Sequence, residues 1–236
     1  MTTLSLQQKS ILPTSPHPIV SIGAGGIVHD AHYPAYKKAG FSIAGLFDPN
    51  QERAAYMAQT FQVAQVYGSL EETVRQAPSD AVFDLAVPAS AIPGVLREIP
   101  EGRGVLIQKP MGESLAQAKE IVTLCEQKSL TAAINFQMRT APFIIAARDL
   151  ITQGLIGKVH DLEVRVTVFT PWQLWTFLET VPYPEILYHS IHYIDLARSF
   201  LGESNGVYAK TVKHPDALKM DGTRTNIILD YGDQIR

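Results

Sequence analysis

The sequence predicts two segments of different class: an α/β domain built on a parallel sheet, then an α+β domain with a largely antiparallel, open sheet that is incomplete at the C-terminus. Three observations carry this. Up to about residue 135, short runs that are apolar throughout alternate with amphipathic helical stretches, as in a parallel sheet covered on both faces. Beyond Phe136 a long run alternates Asp161, Glu163 and Arg165 with Leu162, Val164 and Val166, which wets one face and packs the other. The 236 residues, 46% hydrophobic and 18% charged, are enough for one larger and one smaller core.

Taken in order, residues 1–17 carry Pro13 and Pro16 among polar residues without any period and read as a flexible arm. Strands are predicted at 19–23, 41–47, 63–66, 81–87, 104–107 and 130–134, which makes 18–135 the first domain. The helix after Ser114, a good N-cap, places Leu115, Ala118, Ile121, Val122 and Cys125 on one face. In the second domain, 136–236, a helix at 142–152 ends at Gly154 and Gly157, a strand is predicted at 160–169, a helix at about 184–201, and strands near 206–212 and 223–231. Gly232-Asp233 reads as a turn and 234–236 as the start of a return strand, so further chain is expected beyond Arg236.

Charge and cysteine content exclude several classes. Lys plus Arg is 20 against 23 Asp plus Glu, a net charge of −3 without a block of like sign, so a nucleic-acid footprint is unsupported. Cys125 is the only cysteine and can form no intrachain disulfide, which fits a reducing compartment. No apolar run is long enough for a membrane span, and the first 18 residues lack the order of a secretion signal; a cytoplasmic protein is expected.

The motif richest in chemistry follows the first strand. In Ile19-Val20-Ser21-Ile22-Gly23-Ala24-Gly25-Gly26-Ile27-Val28, Gly23 permits a tight turn and Gly25 lets the backbone approach a pyrophosphate at the N-terminus of the next helix, with Gly26 and Ile27 supplying its first amides. Val28 stands at the third glycine position. Asp48 ends the second strand, where it can accept hydrogen bonds from ribose hydroxyls and repel an added 2′-phosphate, so NAD is expected over NADP. Lys37 and Lys38 complement the dipole at the end of the first helix. Arg53 could cover an adenine or face water.

A second cluster lies farther along. Gln108-Lys109-Pro110 closes the strand at 104–107, at the carboxyl end where open α/β sheets bind ligands; the Lys109 ammonium could bind a substrate hydroxyl and favour its oxyanion, or its stem could line the crevice with the charge in solvent. His189 and His192 share a helix face by i,i+3 spacing. Either could act as acid or base, or form an interface hydrogen bond. Zinc lacks a third ligand there, and no metal is expected. Trp172, Trp175, Phe177 and Tyr183 could form a lid, a sugar-stacking surface or a subunit contact.

These residues together resemble the Gfo/Idh/MocA family of oxidoreductases over about residues 19–231. The resemblance rests on the glycine turn at 23–28, Asp48, Gln108-Lys109-Pro110 in place of the family's Glu-Lys-Pro, and His192 with Asp195 and Leu201-Gly202. It implies an N-terminal Rossmann domain binding NAD(P) at Gly23, Gly25, Gly26, Ile27, Asp48, Pro88 and Lys109, and a C-terminal domain whose open sheet forms oligomer contacts. It further implies a sugar, cyclitol or polyol substrate, Lys109 on its hydroxyl, and His192, with His189 as a possible relay, as the proton-transfer residue. The chain departs from the family at Val87 and Ile92, where a threonine and a histidine are common, at Gln108, and at Tyr188, where a carboxylate is usual. Those departures leave open two other readings: a dinucleotide-binding regulatory or scaffolding protein without catalysis, and a reductase of a non-sugar unsaturated substrate.

Overall fold

The structure, a computed structural model, describes residues 5–171, 176–217 and 219–235. The chain divides into two compact units, Leu12–Asn135 and a second that joins residues 5–11 to Phe136–Arg236.

In the first unit β1 (Ile19–Ile22), β2 (Ile43–Phe47), β3 (Val82–Leu85), β4 (Gly104–Ile107) and β5 (Thr131–Ile134) form one parallel sheet in the order β2-β1-β3-β4-β5. The predicted strand at 63–66 contracts to one parallel bridge between Leu46 and Val66, held by Leu46 N–H to Gln65 O and Tyr67 N–H to Leu46 O. Gly104–Ile107 is therefore the fourth strand rather than the fifth. Val63, instead of pairing, is buried beside Leu46 and Met57.

The helices are α1 (Tyr33–Ala39), entered through a π-helical turn Val28–His32, then α2 (Gln51–Phe61), α3 (Leu70–Gln76), α4 (Ile92–Glu98) and α5 (Leu115–Gln127). Asn50, Ser69 and Ser114 cap α2, α3 and α5 by accepting the N–H of Arg53, Glu72 and Gln117; such caps contribute about 1 kcal/mol each. Both sheet faces are covered. Phe83, Leu85, Ile107, Ile92, Leu96 and Ile121 are buried in one cluster, and Val28, Tyr33, Leu46, Ala54 and Met57 in another. On α5 only Ile121 is fully buried; Leu115 and Val122 are exposed, so the expected apolar stripe is half correct. Leu115 is the first helical residue and Val122 follows Ile121, about 100° around the helix from it, which takes both off the packed side.

In the second unit α6 (Pro142–Thr152) and α7 (Ile191–Leu201) lie where the sequence predicts helices, α7 being preceded by a π-helical turn Ile186–Ser190. Strands β6 (Gly206–Val212) and β7 (Arg224–Asp230) pair antiparallel from Gly206 opposite Asp230 to Val212 opposite Arg224. The strand predicted at 160–169 is absent: the segment is irregular, and Val164, Val166, Val168 and Phe169 are exposed. Alternation specifies which face a strand would bury, but a strand also needs a partner for its N–H and C=O groups, and among the described residues the second sheet has only β6 and β7. No return strand forms at 232–235. The arm has neither helix nor strand over residues 5–17, and the Gln7 N–H donates to Asp149 of α6 at 2.8 Å.

Candidate active site

The glycine turn is built as its residues require. Gly23 has φ +104°, and a Cβ there would lie 2.4 Å from the Ala86 carbonyl oxygen, so β1 and the end of β3 approach each other only because this residue has no side chain. Gly25 differs: a Cβ on it would meet no atom within 4 Å, and Gly26 has only Asp30 Oδ2 at 3.9 Å. The Val28 and His29 N–H groups bond the Gly25 carbonyl, whereas Gly26 and Ile27 open the helix, exposed, where first-turn amides have no carbonyl behind them. Asp48 closes the turn from β2, accepting the Ala24 N–H on Oδ2 and the Asn50 N–H on Oδ1, both at 2.8 Å. Each oxygen keeps a further lone pair. Pro88 is exposed, two residues beyond the Ala86 carbonyl that faces Gly23.

Lys109 sits at the carboxyl end of β4. Gln108, nearly buried, anchors that end by donating its N–H to Leu85 O and accepting the Lys109 N–H on Oε1 at 2.8 Å; the Lys109–Pro110 peptide is cis. Burial pushes the Lys109 ammonium down to about 8, because a charge withdrawn from water is penalised.

Beside this turn lies a polar cluster that no sequence motif marks. His32 Nδ1 is 2.8 Å from Asp84 Oδ2, the Tyr36 hydroxyl donates to the same oxygen at 3.0 Å, and His32 Nε2 faces the amide nitrogens of Gln108 at 3.3 Å and Asn135 at 3.2 Å. Its sequence signal was Asp84, a carboxylate inside the apolar strand Val82-Phe83-Asp84-Leu85.

In the second unit His189 and His192 line one open cavity of about 1580 Å³, together with Glu185, Tyr193, β7 residues and the irregular segment at 161–170. The space is several times what a sugar-sized ligand needs. His192 is almost buried, with its ring edge-on to Phe136 at 6.2 Å between centroids. Ser190 Oγ donates to Glu185 at 2.7 Å. Asp195, buried on α7, holds Arg139 through two hydrogen bonds of 2.7 and 2.6 Å, a role the sequence did not reveal because the two are 56 residues apart. The departures are explained in part by packing: Ile92 is fully buried in the core, and Tyr188 packs on Leu178, Val181 and Met220. Phe177 and Tyr183 are exposed; Trp172 and Trp175 lie outside the described residues. Among the described residues no three His, Cys, Asp or Glu side chains gather as a metal site, and no helix is long and apolar enough to cross a membrane.

The family model for oxidoreductases with an NAD-binding Rossmann fold, Gfo/Idh/MocA, matches residues 18–136. The chain belongs to this family. Among relatives of this Gfo/Idh/MocA chain, 1,5-anhydro-D-fructose reductase of Ensifer adhaerens is 25% identical over 212 residues, 88% of this chain and 63% of the relative. D-xylose 1-dehydrogenase [NADP(+)] of Haloarcula marismortui is 29% identical over 143 residues, 59% of this chain and 38% of the relative. The chain thus spans less than two thirds of these relatives. An oxidoreductase from Agrobacterium radiobacter, solved with NAD+, L-tartaric acid and magnesium, shares the fold with a TM-score of 0.74 at 20% identity, covering 94% of this chain and 68% of that one. For the cofactor that the Gfo/Idh/MocA fold implies, the residues present fit: the open space over Gly25, which any Cβ would enter, and the exposed amides of Gly26 and Ile27 suit a pyrophosphate.

Proposed function

We propose that this chain is an NAD(P)-dependent oxidoreductase acting on a hydroxyl or carbonyl carbon of a sugar, cyclitol or related polyol, with NAD as the preferred cofactor. Its nicotinamide, when bound, supplies the hydride chemistry. Gly23, Gly25, Gly26 and Ile27 would hold the pyrophosphate and Asp48 the ribose hydroxyls, its charge disfavouring a 2′-phosphate, with Pro88 and Lys109 beside them. Lys109 would bind the substrate hydroxyl and favour the alkoxide, and His192 would take the proton, with His189 on the same cavity wall as a relay. The observation that carries this reading is the position of Lys109, partly withdrawn from water at the carboxyl end of a parallel strand, where burial also lowers the pKa of its ammonium. The relatives named as a sugar reductase and a sugar dehydrogenase support the substrate class.

We also propose that copies associate through the outer face of the β6–β7 sheet, where Tyr208 and Ile228 pair across the strands, 64% and 65% exposed. Turnover is tested by following reduction of NAD and NADP over a panel of sugars and polyols. Lys109→Ala is expected to lower kcat about 100-fold. Calorimetry that detects neither dinucleotide at roughly millimolar concentration overturns the assignment.

A further inference from the structure

The Rossmann unit contains a buried chain of polar groups that binding of a pyrophosphate does not explain. Asp84 is 1% exposed on a strand covered on both faces, where a carboxylate is costly unless its hydrogen bonds are made. The Tyr36 hydroxyl donates to Asp84 Oδ2; burial, and then the Asp84 charge, hold that phenol protonated far above its usual range. With Oδ2 accepting, His32 donates from Nδ1, and its Nε2 is left as the acceptor for the amide nitrogens of Gln108 and Asn135. The Gln108 amide is thereby oriented. With its nitrogen toward the ring, its Oε1 faces back and accepts the Lys109 N–H. Turned the other way, its oxygen would meet the lone pair of Nε2 and its NH₂ would meet the Lys109 N–H, so both contacts would be repulsive. His32 also ends the π-helical turn that begins directly after Ile27, and such turns mark functional positions in helices. One imidazole therefore ties the helix that opens at the glycine turn to the end of β4.

We propose that His32, oriented by Asp84, is a positioning residue: through the Gln108 amide it fixes the main chain at Lys109 and so holds the Lys109 ammonium in the place where it meets a substrate hydroxyl. The proposal rests on the role given to Lys109 above, and it assigns the buried carboxylate and imidazole a function in that role rather than in packing alone. Asp84→Asn keeps the shape of the carboxylate but lets the imidazole adopt either tautomer, freeing Gln108 to turn; His32→Asn removes the ring acceptor directly.

The intact chain, reductively methylated with ¹³C at its lysines, provides the test. The Lys109 resonance is identified by its loss in Lys109→Arg, and its titration is followed by NMR in the native protein and in both variants, each shown to be folded by circular dichroism. The native resonance is expected to titrate near 8. In Asp84→Asn and His32→Asn it is expected to move up by about one unit or more, as the released ammonium reaches water, while the other lysines stay in place. A Lys109 titration unchanged in either folded variant overturns the positioning role, as does an equal movement of all lysines. Because this measurement needs neither dinucleotide nor substrate, it judges the positioning role separately from turnover.

Discussion

At the scale of single residues, Gly23 and Gly25 separate what the fold needs from what the proposed ligand would need. Gly23→Ala sets a Cβ against the Ala86 carbonyl at a positive φ and is expected to cost about 3 kcal/mol in urea unfolding of the Rossmann unit. Gly25→Ala meets nothing in the protein, so stability should stay within about 0.5 kcal/mol while NAD affinity measured by calorimetry falls at least about tenfold. Equal stability losses in the two would remove the ligand reading of Gly25. Lys109 has a cost of the opposite kind. Its folded pKa, about 8, lies below that of a free lysine, so the unfolded chain binds this proton more tightly, and the native state should gain stability as pH rises from about 8 to about 10.5. Lys109→Met should therefore raise stability by about 1 kcal/mol at pH 7, a figure reduced for the ammonium's remaining exposure, and the difference should close by about pH 10.5. Melting curves over that pH range give the answer; a variant less stable at pH 7 would show that the interactions of the ammonium outweigh its withdrawal from water. A gain in stability accompanied by loss of turnover is the signature expected of a strained functional group.

At the scale of elements, one ion pair holds the turn at Gln137–Thr140 to α7 within the second unit. Asp195 is nearly buried and Arg139 is half exposed, so the consequences of removing each side differ. Arg139→Met leaves a buried carboxylate without its partner and should cost about 3 kcal/mol, whereas Asp195→Asn, which keeps hydrogen-bonding capacity, should cost about half as much. Denaturant midpoints followed by tryptophan fluorescence compare them, and equal effects would mean that Asp195 is solvated. The polar chain from Asp84 to Gln108 is likewise a property of several elements together, since it draws on the π-helical turn, α1, β3 and the ends of β4 and β5.

At the scale of the whole molecule, the β6–β7 sheet leaves Tyr208 and Ile228 on an outer face with the Lys210–Asn226 pair beside them. Replacing both apolar residues with lysine should dissociate an assembly built on this face, reducing the mass seen in analytical ultracentrifugation without shifting the melting temperature of the Rossmann unit. An unchanged mass would place any assembly elsewhere. His192 belongs to the second unit and Lys109 to the first. Their separate contributions can be read from the pH dependence of kcat in single variants of each.

Much of the architecture was legible in the linear order of residues. Continuous apolar runs separated by capped amphipathic helices leave few solutions other than a parallel sheet, and the glycine turn directly after the first run is legible because turn geometry and exposed helix amides are local properties. The strands β6 and β7 and the helix α7 carrying His192 were local in the same sense, whereas the pairing of the two strands was not. What only the tertiary structure decided depends on partners distant in sequence. Alternation at 160–169 could not show that the strand lacks a neighbour, and Asp84 could not reveal that His32, 52 residues earlier, would turn a buried charge into a hydrogen-bonded support for Gln108. Hydrogen bonds are directional and short, so their pairing is fixed by where the backbone brings each donor and acceptor, and that placement is a property of the packed sheet rather than of any one segment.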